Sequence, residues 1–370
     1  MRLAFDVTAL HDARTGVGTF TGEVLERLAR QPDVDVIAYA TSWRGRQRVR
    51  SLAPGGVRVA TRPMAARPLR ALWQSFDQPP ITWWSGAIDV VHGPNFVVPP
   101  APHAAQLATV HDLTCIHHPE LCTADVLQYP ALLRRALGRG AHLHVVSRFV
   151  GDEVIDLLGA DPARVHVIAN GISAVGGGDA KRGAGLAGGD RYVLALGTVE
   201  PRKDLPTLVA AFDAVAADDD ELRLVIAGPD GWGAEALTAT VAAAAHRDRI
   251  VRLGWVDDAS RADLLAGAAV FAYPSLYEGF GLPPLEAMAA GAPVVTTSAG
   301  ALPEVVGEAA VLVAPRDVDA LGAAVALLTG EGERDRRARI DRGQARAARF
   351  TWDATATALV SLYRSLEPSC

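Results

Sequence analysis

Cysteine, lysine and long apolar runs are scarce in this chain of 370 residues, and each scarcity excludes a class of protein. Its three cysteines, Cys115, Cys122 and Cys370, are an odd number and give no disulfide framework, so a reducing compartment is expected. No apolar run approaches the ~18–20 residues that cross a bilayer. Residues 1–6 predict a first strand that ends in a carboxylate rather than a signal peptide. We therefore expect a cytoplasmic protein.

The motif of a nicotinamide dehydrogenase is also missing. Gly16, Gly18 and Gly22 follow the first predicted strand, but their spacing is not Gly-x-Gly-x-x-Gly. The second predicted strand ends at Ala40 and Thr41 without the carboxylate that would bind an adenosine ribose. These departures argue strongly against a dehydrogenase.

Hydrolase and zinc motifs are missing too. Ser147 lies outside any Gly-x-Ser-x-Gly elbow, and its place between a strand and a helix predicts an N-cap. One group of candidate metal ligands has a spacing unlike that of paired zinc knuckles: Cys115, His117, His118 and Cys122. We expect no resident metal.

Short, nearly continuous apolar segments alternate with helical patterns in both halves of the chain. This alternation predicts α/β architecture, with two doubly wound parallel sheets and a ligand site at the carboxyl ends of their strands. The predicted domains are residues 1–175 and 191–350, and we expect them to face a cleft. The glycine-rich segment 176–190 is predicted to be the linker.

The net charge of −6 is unevenly distributed. Segment 43–76 contains eight arginines and no acidic residue. Trp43 begins the segment, Trp73 lies near its end, and Trp83 and Trp84 follow just beyond it. Its arginines, at positions 44–70, could contact anionic lipid headgroups or a phosphorylated acceptor, or simply form a solvated face. Because the whole chain is acidic, we expect no nucleic-acid partner.

Segment 278–286 combines two carboxylates with a turn that leads into a predicted helix. Glu278 and Glu286 bracket the turn, and acceptor-only carboxylates suit the vicinal hydroxyls of sugars. The backbone N–H groups of the turn and helix start suit phosphate oxygens. These amides belong to Gly279, Phe280, Gly281 and Leu282. The segment predicts a nucleotide-sugar pocket.

A second segment supports the same interpretation. Gly197 ends a predicted strand, and Arg202 and Lys203 follow just before a helix. Lysine is rare in this arginine-rich chain, which contains only Lys181 and Lys203, so a lysine here hints at chemical need. A planar guanidinium beside a compact ammonium suits a diphosphate.

With these motifs, the chain resembles the retaining GT-B glycosyltransferases of family 4, also called glycosyl transferases group 1. The matching pieces are Glu-x7-Glu at 278–286, Gly-x3-Pro-Arg-Lys at 197–203, Gly-Val-Gly at 16–18, His-Asp at 111–112 and Asn-Gly at 170–171. The resemblance covers nearly the whole chain. It implies that the final segment, 351–370, forms a helix that crosses back onto the N-terminal, acceptor-binding domain.

The resemblance also implies roles for individual residues. Glu286 would bind the ribose hydroxyls, and Glu278 the hydroxyls of the transferred sugar. His111 would lie near the donor sugar, either orienting it or helping the acceptor hydroxyl lose its proton. Backbone near Gly228 and Val256 would line the nucleobase slot. The backbone of three residues after the first strand would approach the donor phosphate and the acceptor: Gly16, Val17 and Gly18.

The expected function is therefore retaining, metal-independent transfer of a hexose from a nucleoside-diphosphate sugar to a glycan or glycolipid in cell-envelope polysaccharide synthesis. Residues 111–114 and 118–120 resemble the branches of the family that use GDP-mannose, so the resemblance implies this donor. Two alternatives remain open: a sugar-nucleotide epimerase or glycan phosphorylase of the same fold, and a non-catalytic sugar-nucleotide-binding protein. The intact set of two cations and two carboxylates argues against the last.

Overall fold

The computed structural model describes residues 1–11, 15–43, 46–173 and 177–367. Contacts between residues divide the chain into two compact units, Met1–Gly171 with Thr351–Cys370, and Ile172–Phe350. The chain thus leaves the first unit at Gly171 and returns to it at Thr351. The boundary predicted at residues 175 and 176, and Cys370, lie outside the described residues.

Within the described residues, the first unit contains seven strands: β1 (Arg2–Asp6), β2 (Asp35–Tyr39), β3 (Arg58–Val59), β4 (Val90–Gly93), β5 (Ala105–Val110), β6 (His142–Val145) and β7 (Val165–Val167). All pair in parallel, in the order β3-β2-β1-β4-β5-β6-β7. Leu3, Ala4 and Phe5 of β1 are fully buried, as expected for a strand covered on both faces. The strand order reverses between β1 and β4, where such sheets bind ligands.

Helices connect these strands: α1 (Gly16–Leu28), α2 (Arg46–Leu52), α3 (Ala66–Ser75), α4 (Thr82–Ser85), α5 (Thr114–His117), α6 (Tyr129–Gly138) and α7 (Arg148–Leu158). The start of α7 shows why a helix forms there. The Ser147 hydroxyl accepts a hydrogen bond from the Val150 amide, and Gly159 ends the helix in the left-handed conformation. The predicted N-cap is confirmed.

The second unit repeats the plan with six strands among its described residues: β8 (Tyr192–Leu196), β9 (Arg223–Ala227), β10 (Ile250–Gly254), β11 (Val270–Tyr273), β12 (Val294–Thr297) and β13 (Ala310–Val313). They pair in parallel in the order β10-β9-β8-β11-β12-β13, which reverses between β8 and β11. Its helices are α8 (Ala180–Ala187), α9 (Leu205–Ala216), α10 (Ala234–Ala243), α11 (Asp258–Gly267), α12 (Leu282–Ala289), α13 (Leu302–Val306), α14 (Val318–Thr329) and α15 (Glu333–Ala347).

The last helix, α16 (Trp352–Leu366), belongs to the first unit. It packs on α1, and Trp352, Leu359 and Tyr363 join the core formed by β1 and α1. The Thr355 hydroxyl also donates to the carbonyl oxygen of Ala169 at 2.8 Å. The predicted return of the C-terminal helix to the N-terminal domain is confirmed.

The linker predicted over 176–190 is wrong for most of its length, because residues 180–187 form α8. Asp179 caps the helix by accepting hydrogen bonds from the amides of Lys181 and Arg182. A Cβ on Gly183 would lie 2.2 Å from the carbonyl oxygen of Asp263, so this glycine lets α8 approach α11 closely. Gly183, one of the glycines that suggested a linker, instead serves helix packing.

The basic segment 44–70 lies partly outside the description, because residues 44 and 45 and the side chains of 46 and 47 are not described. Several of its arginines contact other parts of the first unit, as two examples show. Arg58 pairs with Asp35, and Arg62 donates to the carbonyl oxygen of Trp83 at 2.8 Å. Contact of the segment with a membrane stays a prediction.

Among the helices of the described residues, none combines the length and the apolar character needed to cross a membrane.

Candidate functional site

The motif residues of the second unit cluster where its strand order reverses. Gly197 follows β8 and leads to a short 3-10 helix, Pro201–Lys203. Tyr273 ends the neighbouring strand β11, and Glu278 lies in the loop that continues to α12. The carboxyl ends of β8 and β11 therefore carry both halves of the predicted site, at the usual ligand position of such a sheet.

One carboxylate oxygen organises this cluster. Glu278 Oε1 lies 2.6 Å from Arg202 Nη1 and 2.5 Å from Lys203 Nζ. It also accepts hydrogen bonds from the hydroxyls of Tyr273 at 2.8 Å and Ser275 at 2.7 Å. Lys203 Nζ donates to the Tyr273 hydroxyl as well. The structure thus brings together the predicted Arg202, Lys203 and Glu278.

The cluster favours the ionised form of Glu278. Burial raises the pKa of Glu278, but Arg202, Lys203 and the hydrogen bonds from Lys203 and Ser275 outweigh burial and lower it to about 2. Burial lowers the pKa of Lys203, and Glu278 opposes that change. In addition, Glu200 Oε2 lies 3.6 Å from Arg202 Nη2. Two carboxylates therefore balance two cations in this cluster.

Backbone contacts fix the carboxylate and guanidinium in place. The Ala301 amide donates to the Glu278 carbonyl oxygen at 2.8 Å, and a Cβ on Gly300 would lie 2.3 Å from that oxygen. The Leu276 amide donates to the Arg202 carbonyl oxygen at 2.8 Å. Elements distant in sequence therefore hold both partners of the ion pair.

Glycines end the strands beside the cluster. Gly197 has φ +139°, and its amide donates to the Ala227 carbonyl oxygen. Gly228 has φ +150°, and a Cβ there would lie 2.0 Å from the Gly197 carbonyl oxygen. Only glycine fits such a conformation and such close backbone packing. The predicted donor-binding positions Gly197 and Gly228 thus contact each other, and their role in donor binding stays a prediction.

Segment 279–282 forms the turn into α12, as predicted. Gly281 has φ +105°, and a Cβ there would lie 2.7 Å from Leu302 Cδ2. The Phe280 ring is buried and packs edge-on against Phe350, with 5.7 Å between ring centroids. Phe280 therefore contributes its side chain to packing, and the predicted contact with the donor would come from its backbone.

Glu286 lies apart from the cationic cluster, on α12. Its carboxylate forms an ion pair with Arg261 of α11. Burial raises the pKa of Glu286, and the charge and hydrogen bond of Arg261 oppose that rise. Val256, which follows β10, is half-buried one residue before Asp257 caps α11.

His111 belongs to the first unit, where it follows β5. Its Nε2 donates to the Pro94 carbonyl oxygen at 2.8 Å, so Nδ1 carries the lone pair in the neutral ring. Phe20 of α1 packs edge-on against the imidazole, with 5.2 Å between ring centroids. Burial lowers the pKa of His111, which favours the neutral form.

The glycine segment predicted as a phosphate or acceptor loop forms the first turn of α1. The helix begins at Gly16, and the Thr15 hydroxyl accepts a hydrogen bond from the Gly18 amide at 3.1 Å. A Cβ on Gly18 would lie 3.2 Å from the Ala9 carbonyl oxygen. Gly16 and Val17 therefore present a helix N-terminus rather than a loop, and residues 12–14 before it are not described.

Three polar residues of the second unit were missed by sequence reasoning as functional groups. Tyr273 and Ser275 bind Glu278, and Arg261 binds Glu286. Tyr273 and Ser275 had a weak signal in the sequence, since Tyr273 ends an apolar segment and Ser275 follows it closely. Arg261 had none, because arginines are abundant on exposed helix faces in this chain.

The two histidines among the candidate metal ligands of segment 115–122 have carboxylate partners. His117 Nε2 lies 2.5 Å from Glu153, and His118 Nδ1 lies 3.4 Å from Glu120. Within the described residues, no three His, Cys, Asp or Glu side chains are grouped so that they could hold a metal ion. Turnover without a metal stays a prediction.

Comparisons with known proteins match both units. The family model "Glycosyl transferases group 1" matches residues 190–331, and "Glycosyltransferase Family 4" matches residues 14–174. The O-antigen chain mannosyltransferase B of Escherichia coli is 33% identical over 285 residues, which are 75% of this chain and 74% of that protein. The MMP alpha-(1->4)-mannosyltransferase of Mycolicibacterium hassiacum is 35% identical over 228 residues, 60% of this chain and 53% of that protein.

A solved structure resembles the whole chain. The sucrose-phosphate synthase from Thermosynechococcus elongatus has a TM-score of 0.77 at 20% identity, over 99% of this chain and 98% of that one. At this identity the likeness concerns the fold. Together with the two parallel sheets, it confirms the predicted fold class.

Proposed function

This chain belongs to the family 4 glycosyltransferases, and from this membership we propose that it transfers a hexose from a nucleoside-diphosphate sugar to a glycan or glycolipid. The observation that carries the proposal is the contact of Arg202 and Lys203 with Glu278 at the carboxyl ends of β8 and β11. Cations held there suit a diphosphate that leaves the sugar.

The chemistry follows from the charge of the leaving group. When the bond between sugar and phosphate breaks, the diphosphate gains negative charge. Lys203 has three N–H donors, of which two point to Tyr273 and Glu278. A further donor and the guanidinium of Arg202 would stabilise the departing diphosphate. A positioned donor of this kind is commonly worth about 3–4 kcal/mol of the barrier.

We also propose that this charge replaces a divalent metal and that transfer retains the anomeric configuration. The acceptor hydroxyl would attack from the face that the diphosphate leaves, without a covalent enzyme intermediate. Glu278, ionised and held by its four partners, would accept hydrogen bonds from the transferred sugar through its second oxygen. Glu286 would accept those of the ribose.

The hydrogen bonding of His111 supports a role for this residue near the acceptor or the donor sugar. Because Nε2 donates to Pro94, the neutral ring would offer Nδ1 as an acceptor for a sugar hydroxyl. The helix start at Gly16 would supply backbone amides for a phosphate or hydroxyl. These roles complete the proposed site within the first unit.

The proposed donor is GDP-mannose, and the proposed acceptor is a glycan of the cell envelope. Two of the relatives carry the name mannosyltransferase, and one of them is named for the O-antigen chain. Segments 111–114 and 118–120 also resemble family branches that use this donor. A cytoplasmic site of action belongs to this proposal.

The test is release of nucleoside diphosphate from a panel of nucleotide sugars, with and without EDTA and with candidate acceptors. We expect fastest release from GDP-mannose, dependent on acceptor and unchanged by EDTA. Turnover of the donor without any acceptor would favour an epimerase, and dependence on free phosphate a phosphorylase. Binding of the donor without turnover under every condition would contradict transfer.

A further inference from the structure

The ion pair between α11 and α12 lies outside the cationic cluster. Arg261 Nη2 contacts Glu286 Oε2, and the two side chains keep only 29% and 12% of their surface exposed. A carboxylate with little solvent needs such a partner to remain charged. The ion pair therefore affects whether Glu286, the residue proposed to bind ribose, is ionised.

Arg261 is held in position by the anchoring of its helix. Asp257 accepts hydrogen bonds from the Ser260 amide, and its carbonyl oxygen accepts from the Arg261 amide at 2.9 Å. In the middle of α11, two residues after Arg261, Asp263 accepts a hydrogen bond from Arg182 of α8 at 2.7 Å. The guanidinium thus starts from a fixed backbone rather than from a loop.

The charges around Glu286 come mainly from α11. Burial raises the pKa of Glu286, Arg261 lowers it, and Asp258 raises it further. Helix α15 also packs on α12, where Gly343 meets Met288. The basic residues of α15 with described contacts point elsewhere: Arg336 to the carbonyl oxygens of Ala268 and Ala269, Arg337 to Asp341, Arg339 to Glu331, and Arg346 to the carbonyl oxygens of Glu304 and Val305.

We propose that Arg261 is a positioning residue that keeps Glu286 ionised and oriented for the ribose diol of the donor. A carboxylate offers about four lone-pair sites, and Arg261 occupies one of them. Those that remain can accept hydrogen bonds from the two ribose hydroxyls. This inference rests on the proposed function, because it assumes a nucleotide ligand.

The experiment measures the donor KM, and the dissociation constant of the nucleoside diphosphate, from pH 5 to 9. The proteins are the wild type, Arg261→Gln and Arg261→Lys. Without the cation, burial acts unopposed, so a protonated Glu286 persists to higher pH and weakens binding there. A rise of one pKa unit moves the acidic limb by one pH unit, which is about a tenfold weaker affinity below it.

We expect the limb to shift upward in Arg261→Gln and to return toward the wild-type position in Arg261→Lys. The matched control is Arg182→Gln, which removes another ion pair of α11. It should leave the pH profile unchanged even if it lowers thermal stability. A similar shift in Arg182→Gln would assign the effect to helix placement and overturn the proposal.

A ligand without the diol gives a second readout. The 2′,3′-dideoxy form of the same nucleoside diphosphate should bind wild type and Arg261→Gln about equally at each pH. Tighter donor binding in Arg261→Gln, with an unmoved limb, would mean that Arg261 competes with ribose and would contradict the proposal. If the wild type released no nucleoside diphosphate from any nucleotide sugar, the proposed function itself would fail.

Discussion

Glu278 shows how much of the site depends on a single atom. Its Oε1 contacts Arg202 and Lys203 and also accepts hydrogen bonds from Tyr273 and Ser275. Removing one member of such a buried set takes a partner from the groups that remain, which costs more than the lost contact. Substitutions here therefore act on charge and on position together.

Replacing Lys203 with alanine should lower kcat by about a hundredfold to a thousandfold, the usual cost of one transition-state donor. Binding of the free nucleoside should weaken far less, because the ammonium would act on the diphosphate. Steady-state kinetics and calorimetric titration with the nucleoside measure the two effects.

The control is Lys181→Ala, since Lys181 is the other lysine of the chain and lies exposed on α8. It should leave both quantities unchanged. Equal losses in turnover and nucleoside affinity for Lys203→Ala would contradict the role assigned to Lys203.

Among single residues, those whose type and position in the sequence indicate their chemistry could be predicted. Lys203 was conspicuous because lysine is rare in the chain, and Glu278 and Glu286 because they flank a turn before a helix. Arg261 could not be predicted, since its partner lies 25 residues away on another helix. Such a pair depends on how α11 and α12 pack, which local pattern does not encode.

A glycine-rich segment can be either a flexible linker or a closely packed helix. The glycines of α8 suggested a flexible linker, but Gly183 instead permits close packing of α8 on α11. Composition cannot distinguish these cases, because the same absence of Cβ serves flexibility and close approach. Helix boundaries that are set by caps were easier to predict from the sequence, as the N-cap at Ser147 shows.

Gly171→Ala should destabilise the first unit by about 1–3 kcal/mol, the usual cost of inserting a group into a packed site. A Cβ at position 171 would lie 2.1 Å from the Trp352 amide nitrogen, at the start of α16. Urea unfolding followed by tryptophan fluorescence measures the change.

The matched variant is Gly185→Ala, at an exposed position of α8 where a Cβ would meet nothing within 4 Å. It should be neutral or stabilise by about 0.5–1 kcal/mol, because alanine favours a helix interior over glycine. Equal unfolding midpoints for wild type and Gly171→Ala would show that α16 is not docked as described.

Over the whole molecule, a buried hydrogen-bond chain joins α16 to the first sheet. His144 Nε2 donates to the Ile168 carbonyl oxygen at 2.9 Å, so its Nδ1 accepts from Thr109 at 2.9 Å. Thr109 in turn accepts from His92 Nε2, and His92 Nδ1 accepts from the Tyr363 hydroxyl, both at 2.7 Å. Each donor direction follows from the one before, provided that both imidazoles are neutral.

Tyr363→Phe should cost about 1–3 kcal/mol of unfolding free energy, because it leaves the buried Nδ1 of His92 without a donor. Ser361→Ala, at an exposed position of the same helix, should cost little. Chemical unfolding of the two variants compares them, and equal losses would count against the hydrogen-bond chain.

The same buried hydrogen-bond chain predicts that the folded protein loses stability at acid pH. Burial lowers the pKa of His144 to about 3 and that of His92 well below its usual value. In the unfolded chain both would titrate near 6.5, so unfolding takes up protons below that pH. Stability should therefore fall as the pH drops from about 6.5 toward 3.

The alternation of apolar strands and helices was enough to predict two parallel sheets, since that pattern has few other solutions. The place of α16 came from family resemblance, because a helix pattern does not say which sheet it covers. Its contacts with Phe20 and β1 depend on residues more than 300 positions away.

The most direct test is a crystal structure of the full chain with a nucleoside diphosphate, grown in EDTA. We expect diphosphate oxygens within hydrogen-bonding distance of Lys203 Nζ and the Arg202 guanidinium. A diphosphate bound elsewhere, with both side chains remote from it, would contradict the proposed site.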